Sequence, residues 1–115
     1  MKSSLGDKTR LLHISECITE IQHAIRGYDE KSFIDNHVTR IAVVKWLEII
    51  GEASNHITDE TKNKYPDTDW NRIIALRNFV VHEYFGINFN IIWEIGTCFI
   101  PELKNIVTQL LKDFE

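Results

Sequence analysis

Within the eight residues Arg77-Asn78-Phe79-Val80-Val81-His82-Glu83-Tyr84 the chain gathers four side chains able to do chemistry. Arginine presents a planar fork of donors that holds a phosphate through two parallel hydrogen bonds. Histidine exchanges protons near neutral pH, and tyrosine offers a nucleophilic or modifiable hydroxyl. The order R-N-x-x-x-H-x-Y therefore suits chemistry on a phosphate ester.

Helical geometry limits how these groups can cooperate. At about 100° per residue, Arg77 and Tyr84 fall within about 20° of each other, whereas His82 is rotated by about 140° from Arg77. Asn78 and His82, four residues apart, share a face, so the amide can orient the imidazole. Arg77 and His82 can then meet around one phosphate if the helix packs against its symmetry mate, which predicts a composite site in a homodimer. A two-fold axis supplies two histidines, one to deprotonate a 2′-hydroxyl and one to protonate the leaving 5′-oxygen, with arginine stabilising the charged phosphorane. Near a helix C-terminus, His82 is biased toward its protonated form. The plainer alternative is that Arg77 pairs with an acidic neighbour such as Glu48 or Glu52, while His82 caps carbonyls. Glu52 itself either faces solvent or reaches an arginine of the site.

The elements that must position these residues are helical. Leu11, Ile14, Ile18, Ile21 and Ile25 recur at spacings of three and four, the stripe of a helix buried on one face, and Gly27 is placed to cap it. A second helix begins between Asp29 and Ser32, where Ser32-x-x-Asp35 resembles a capping signal, and extends to about Ile57 with a break near Asn36. Val38, Ile41, Ala42, Leu47, Ile49 and Ile50 spread around it, which implies two partners. Gly51 reads as a glycine of close helix packing.

Thr58 to Asp69 is a connection with a short turn over 59–64, closed by Tyr65-Pro66. Asp67 or Thr68 caps a third helix carrying Trp70, Ile73, Ile74, Arg77, Val80, Val81 and Tyr84, with Gly86 as its stop. Asn88 caps the fourth, whose stripe is Ile91, Ile95, Phe99, Leu103, Ile106 or Val107, and Leu110. Pro101 should kink that helix around Thr97 or split it. The expected fold is all-α, an antiparallel four-helix bundle with a kinked last helix, one domain over 1–115.

Composition narrows the partners. At 115 residues, 43% hydrophobic and 26% charged, the chain is proportioned like a globular domain. A net charge of −4 argues against nonspecific coating of nucleic acid, so a polyanion must meet a local patch such as Lys62, Lys64, Arg72 and Arg77. Neither a membrane span nor a secretory leader is evident, and a cytoplasmic location is expected. Cys17 and Cys98 form no redox motif and are expected to be buried free thiols. His13 and Cys17 have the spacing of half a zinc site without a second pair, so no metal and no cofactor is expected. His23, His37 and His56 read as surface residues. Trp46, Trp70 and Trp93 read as core or dimer interface. There is no Gly-rich phosphate loop, H-E-x-x-H or Ser/His/Asp arrangement.

The ordered set Ile49-Ile50-Gly51-Glu52-Ala53, Tyr65-Pro66, Trp70, Arg77-Asn78-x-x-x-His82-x-Tyr84, Ile92-Trp93 and Pro101-x-Leu103 resembles the HEPN superfamily of helical nucleases, and within it the HepT toxins. The resemblance spans nearly the whole chain. It implies the toxin of a toxin–antitoxin system, a metal-independent endoribonuclease cutting RNA, whether mRNA or tRNA, as a homodimer. Arg77 and His82 would be catalytic and Asn78 their polar support. It also implies that Tyr84 accepts AMP from an MntA-like nucleotidyltransferase antitoxin, which silences the enzyme. The added phosphodiester and base would block RNA two residues from His82 by charge and bulk together. Two other readings stand beside it: a non-catalytic helical module that binds nucleotide or presents substrate to a nucleotidyltransferase, and a structural dimer with an interface salt-bridge cluster.

Overall fold

A computed structural model describes residues 4–78 and 86–114. Seven helices appear among them: α1 (Ser4–Ile25), α2 (Glu30–Asp35), α3 (His37–Asn55), α4 (Asp59–Asn63), α5 (Trp70–Ile74), α6 (Phe89–Glu94) and α7 (Ile100–Lys112). A 3₁₀ turn, Ala75–Arg77, continues α5, and a π-helical turn, Ile95–Phe99, joins α6 to α7. The architecture is the all-α bundle that the periodicity predicts. Among the described residues no helix is long and apolar enough to cross a membrane.

The core follows the stripes. Leu11, Ile14, Ile18 and Ile21 of α1 meet Val43, Val44, Leu47 and Ile50 of α3, with Leu103, Val107 and Leu110 of α7 on the other flank. Each such side chain contributes roughly 1.5–3 kcal/mol by leaving water. The fourth stripe differs in one respect: Ile92 is fully buried, whereas Ile91 is 46% exposed. The buried series is Ile92, Gly96, Phe99, Leu103, and its second member has no side chain for a hydropathy pattern to register. Gly96 faces Ile21 and Ile25 of α1.

Local signals set the boundaries. Gly27 adopts φ 84°, the left-handed turn that ends α1. The cap of α2 is Asp29, not Ser32: Asp29 accepts from the Ser32 backbone N–H while the Ser32 hydroxyl serves the Asp29 backbone, a reciprocal box. Those bonds hold the Asp29 carboxyl below its usual value. The break near Asn36 is real, and Asn36 both ends α2 and caps α3. Pro101 cannot donate to the carbonyl one turn back, and the helix absorbs this in the π turn before α7.

Several expectations need correction. Cys98 is exposed, and only Cys17 is buried. Val38 and Ile41 stand 76% and 41% exposed, so the first turns of α3 bury less than their composition suggests. The third helix is not α-helical throughout, since α5 tightens to 3₁₀ over Ala75–Arg77, and Asp69 rather than Asp67 or Thr68 caps it. The stripe proposed for it also omitted Leu76, which is buried. The tryptophans pack against the core as expected, Trp93 tilting on Phe33 at 5.3 Å between ring centres.

Candidate active site

Arg77 owes its position to a glycine. A Cβ at Gly51 would collide with the Arg77 backbone nitrogen and lie 2.8 Å from the Ile74 carbonyl oxygen, so only glycine lets α3 approach the 3₁₀ turn this closely. The next residue of α3, Glu52, then reaches the arginine: Arg77 Nη1 donates to Glu52 Oε2 at 3.4 Å. Glu52 Oε1 lies 3.1 Å from Nε2 of His56, the residue that caps the C-terminus of α3. One carboxylate thus bridges a guanidinium and an imidazole.

These groups stand at the surface. Side-chain exposure is 39% for Arg77, 54% for Glu52 and 48% for His56. A pair this solvated is worth about 0–1 kcal/mol, so it orients the arginine without sequestering it, and a phosphate can displace the carboxylate at small cost. Arg77 can still offer its fork to an anion. Of the two alternatives open for Arg77, the acidic neighbour is present, and it is Glu52.

Asn78 follows on helical backbone, exposed, its N–H directed to Ala75 and Leu76 carbonyls. His82 and Tyr84 lie outside the described residues, and so does their relation to Arg77 and Asn78. The basic stretch is divided among separate neighbours: Lys62 stands 5.9 Å over the Trp70 ring, Arg72 stacks 4.2 Å over Phe99, and Arg77 turns to Glu52. Among the described residues no group of three or more His, Cys, Asp or Glu is arranged to hold a metal ion. Sequence spacing alone makes His56 a dispersed surface residue. Its i,i+4 spacing from Glu52 was the available signal.

Beside this cluster a cleft of about 330 Å³ opens between α1 and α3, with Arg10 and His13 on one wall and Glu48, Glu52 and His56 on the other. Glu52 is common to both features.

Comparison with known proteins decides the family. The profile of the family described as "Ribonuclease HepT-like" matches residues 14–110. The chain belongs to the HepT-like ribonuclease family. Among similar proteins, "Putative RNase MJ1380" of Methanocaldococcus jannaschii is 36% identical over 100 residues, covering 87% of this chain and 92% of that protein. "Probable ribonuclease HepT" of Thermococcus cleftensis is 33% identical over 105 residues, covering 91% of this chain and 96% of that one. No solved structure matches the chain. Within this HepT-like chain, residues 14–110 take in α3, the 3₁₀ turn and the whole R-N-x-x-x-H-x-Y segment.

Proposed function

We propose that this HepT-like protein is the toxin of a toxin–antitoxin pair, a metal-independent endoribonuclease that acts as a homodimer on mRNA or tRNA. Arg77 and His82 are its catalytic residues and Asn78 their support. The observation that carries this reading is the presentation of Arg77: backed by Gly51, tethered loosely by Glu52, and open to an anion at the surface of a chain from a ribonuclease family.

In the reaction, one His82 takes the proton of a ribose 2′-hydroxyl, whose oxygen attacks the adjacent phosphorus. The other His82 gives a proton to the departing 5′-oxygen, and the products are a 2′,3′-cyclic phosphate and a free 5′-hydroxyl. Arg77 stabilises the extra charge of the phosphorane. Glu52 yields the guanidinium to the phosphate as the substrate arrives. For control, an MntA-like nucleotidyltransferase joins the Tyr84 hydroxyl oxygen to the α-phosphorus of ATP, releasing pyrophosphate. The AMP then occupies the approach to His82 with a negative charge and a base.

The test is cleavage of single-stranded RNA in EDTA by wild type and by His82→Ala. Loss of about 10²–10⁴-fold in the variant, with cyclic-phosphate ends from wild type, is expected. Undiminished cleavage by the variant, or strict need for added divalent metal, would contradict the mechanism. Intact mass after co-expression with the nucleotidyltransferase should show added AMP mapping to Tyr84. If the isolated wild-type chain neither cuts RNA nor arrests growth, the non-catalytic module is the better reading.

A further inference from the structure

Glu52 does not serve Arg77 alone, because its two carboxylate oxygens are divided between neighbours. Oε2 accepts from Arg77 Nη1 at 3.4 Å, and Oε1 lies 3.1 Å from His56 Nε2. An arginine and a carboxylate left to themselves pair side by side, with two parallel bonds of about 2.7–2.9 Å. Here the bond to Arg77 is single and long, and it is the one bond that this guanidinium makes among the described residues. The shorter contact goes to the imidazole. His56 is placed to keep it: its backbone is fixed as the cap of α3, with its N–H turned to the carbonyls of Ala53 and Ser54. Glu52 stands four residues before it, the spacing at which a helix brings two side chains together.

We propose that His56 is a positioning residue for Arg77: by holding one oxygen of Glu52 it keeps the carboxylate from closing on the guanidinium, and it retains the carboxylate when an RNA phosphate takes the guanidinium. The inference rests on the reading of Arg77 as the group that grips the phosphate. Charge makes the hold depend on pH, since a histidine changes charge between about pH 5 and 8. As an imidazolium it donates from both ring nitrogens, and Nε2 draws the carboxylate toward it. As a neutral ring it also takes the tautomer whose bare Nε2 repels an anion, and Glu52 then turns more fully to Arg77. An RNA phosphate therefore meets a freer arginine at about pH 6 than at about pH 8. The other charged and titratable groups around His56 are Arg10 and His13 of α1, Glu48 of α3 in the same cleft, and Arg77 beyond Glu52.

The test uses the full chain in two assays. In the first, a 2′-O-methyl RNA oligonucleotide, which lacks the attacking hydroxyl and is not cut, is bound at about pH 6 and about pH 8 and followed by fluorescence anisotropy. Solvated ion pairs are weak, so His56→Ala should loosen binding about 3-fold at the lower pH and bring the two pH values closer together. His56→Gln keeps an N–H donor but never charges. It should bind between wild type and His56→Ala at the lower pH. In a Glu52→Gln background, removal of His56 should change binding by less than about 1.5-fold, because no carboxylate is left to hold. The full loss in that background would place His56 on the RNA itself and overturn the proposal, as would equal binding by wild type and His56→Ala. In the second assay, cleavage of ordinary RNA by His56→Ala should show a raised KM with kcat within about 2-fold of wild type. A fall in kcat at unchanged KM would also overturn it. Binding that depends on His56 through Glu52, without any RNA cleavage, upholds the positioning role and sinks the ribonuclease reading. Cleavage that needs Arg77 and is indifferent to His56 does the reverse.

Discussion

Two carboxylates at the same end of the α1–α3 pair play different parts. Asp7, in the first turns of α1, is fully buried and accepts from the Thr58 N–H at 3.0 Å, the Thr58 hydroxyl at 2.6 Å and the Thr61 hydroxyl, with Arg10 Nη1 at 3.8 Å. It staples the start of α1 to the connection that leaves α3, and its bonds keep a buried charge tolerable. Glu52 has the same functional group, but it is half exposed, held by a guanidinium and an imidazole at longer range, and replaceable by solvent or an anion. Burial makes the first structural. Exposure leaves the second free to exchange partners, which a binding site requires.

That contrast can be broken by mutation, beginning with the staple. Asp7→Ala leaves an amide and two hydroxyls without their acceptor and should cost on the order of 2–4 kcal/mol in urea unfolding, while the folded fraction keeps its cleavage rate. A cost under about 0.5 kcal/mol would remove the distinction. Gly51→Ala comes next. The added methyl meets backbone, which cannot swing aside as a side chain can, so about 1–3 kcal/mol should be lost. Cleavage should fall further than stability does, because Arg77 must move; a parallel loss would make Gly51 a packing residue only.

Glu52→Gln tests the other carboxylate. Stability should hold within about 0.5 kcal/mol, as for a solvated ion pair, while RNA cleavage changes several-fold. An unfolding cost equal to that of Asp7→Ala would refute the comparison.

The smallest effect contrasts the cysteines. Burial, with Glu16 and Glu20 nearby, pushes the Cys17 thiol up to about 11, so it stays protonated at pH 8. Its stabilising contribution is complete below about pH 9, the ordinary thiol value, and is lost as pH rises toward 11. Alkylation at pH 8 should therefore label Cys98 in the native protein and Cys17 only on unfolding. Equal labelling rates would show that α1 opens locally.

Much of the bundle was legible because burial leaves a periodic trace. The stripes of α1 and α7, the left-handed Gly27, the break at Asn36 and the disturbance before Pro101 each follow from side-chain spacing or from one residue's backbone limits. The misplaced parts have physical causes. Hydropathy favours Ile91 over Ile92 because Gly96 carries none, and an even 3.6-residue period conceals the 3₁₀ turn that ends at Arg77. Val38 and Ile41, 76% and 41% exposed, show that apolar residues on a helix need not be buried.

The site divides in the same way. The sequence alone sets out the groups on offer, in the order Arg77, Asn78, His82 and Tyr84, because side-chain type fixes what is able to grip a phosphate, move a proton or present a hydroxyl. It also determined that Gly51 marks a close approach. Only the tertiary structure decided what approaches it: the backbone of Arg77, 26 positions further along the chain by number. It likewise turned Glu52 into the link between that arginine, His56 and the cleft of Arg10 and His13. Periodicity records which face of a helix is buried, but it carries no information on which residues of another helix lie against it.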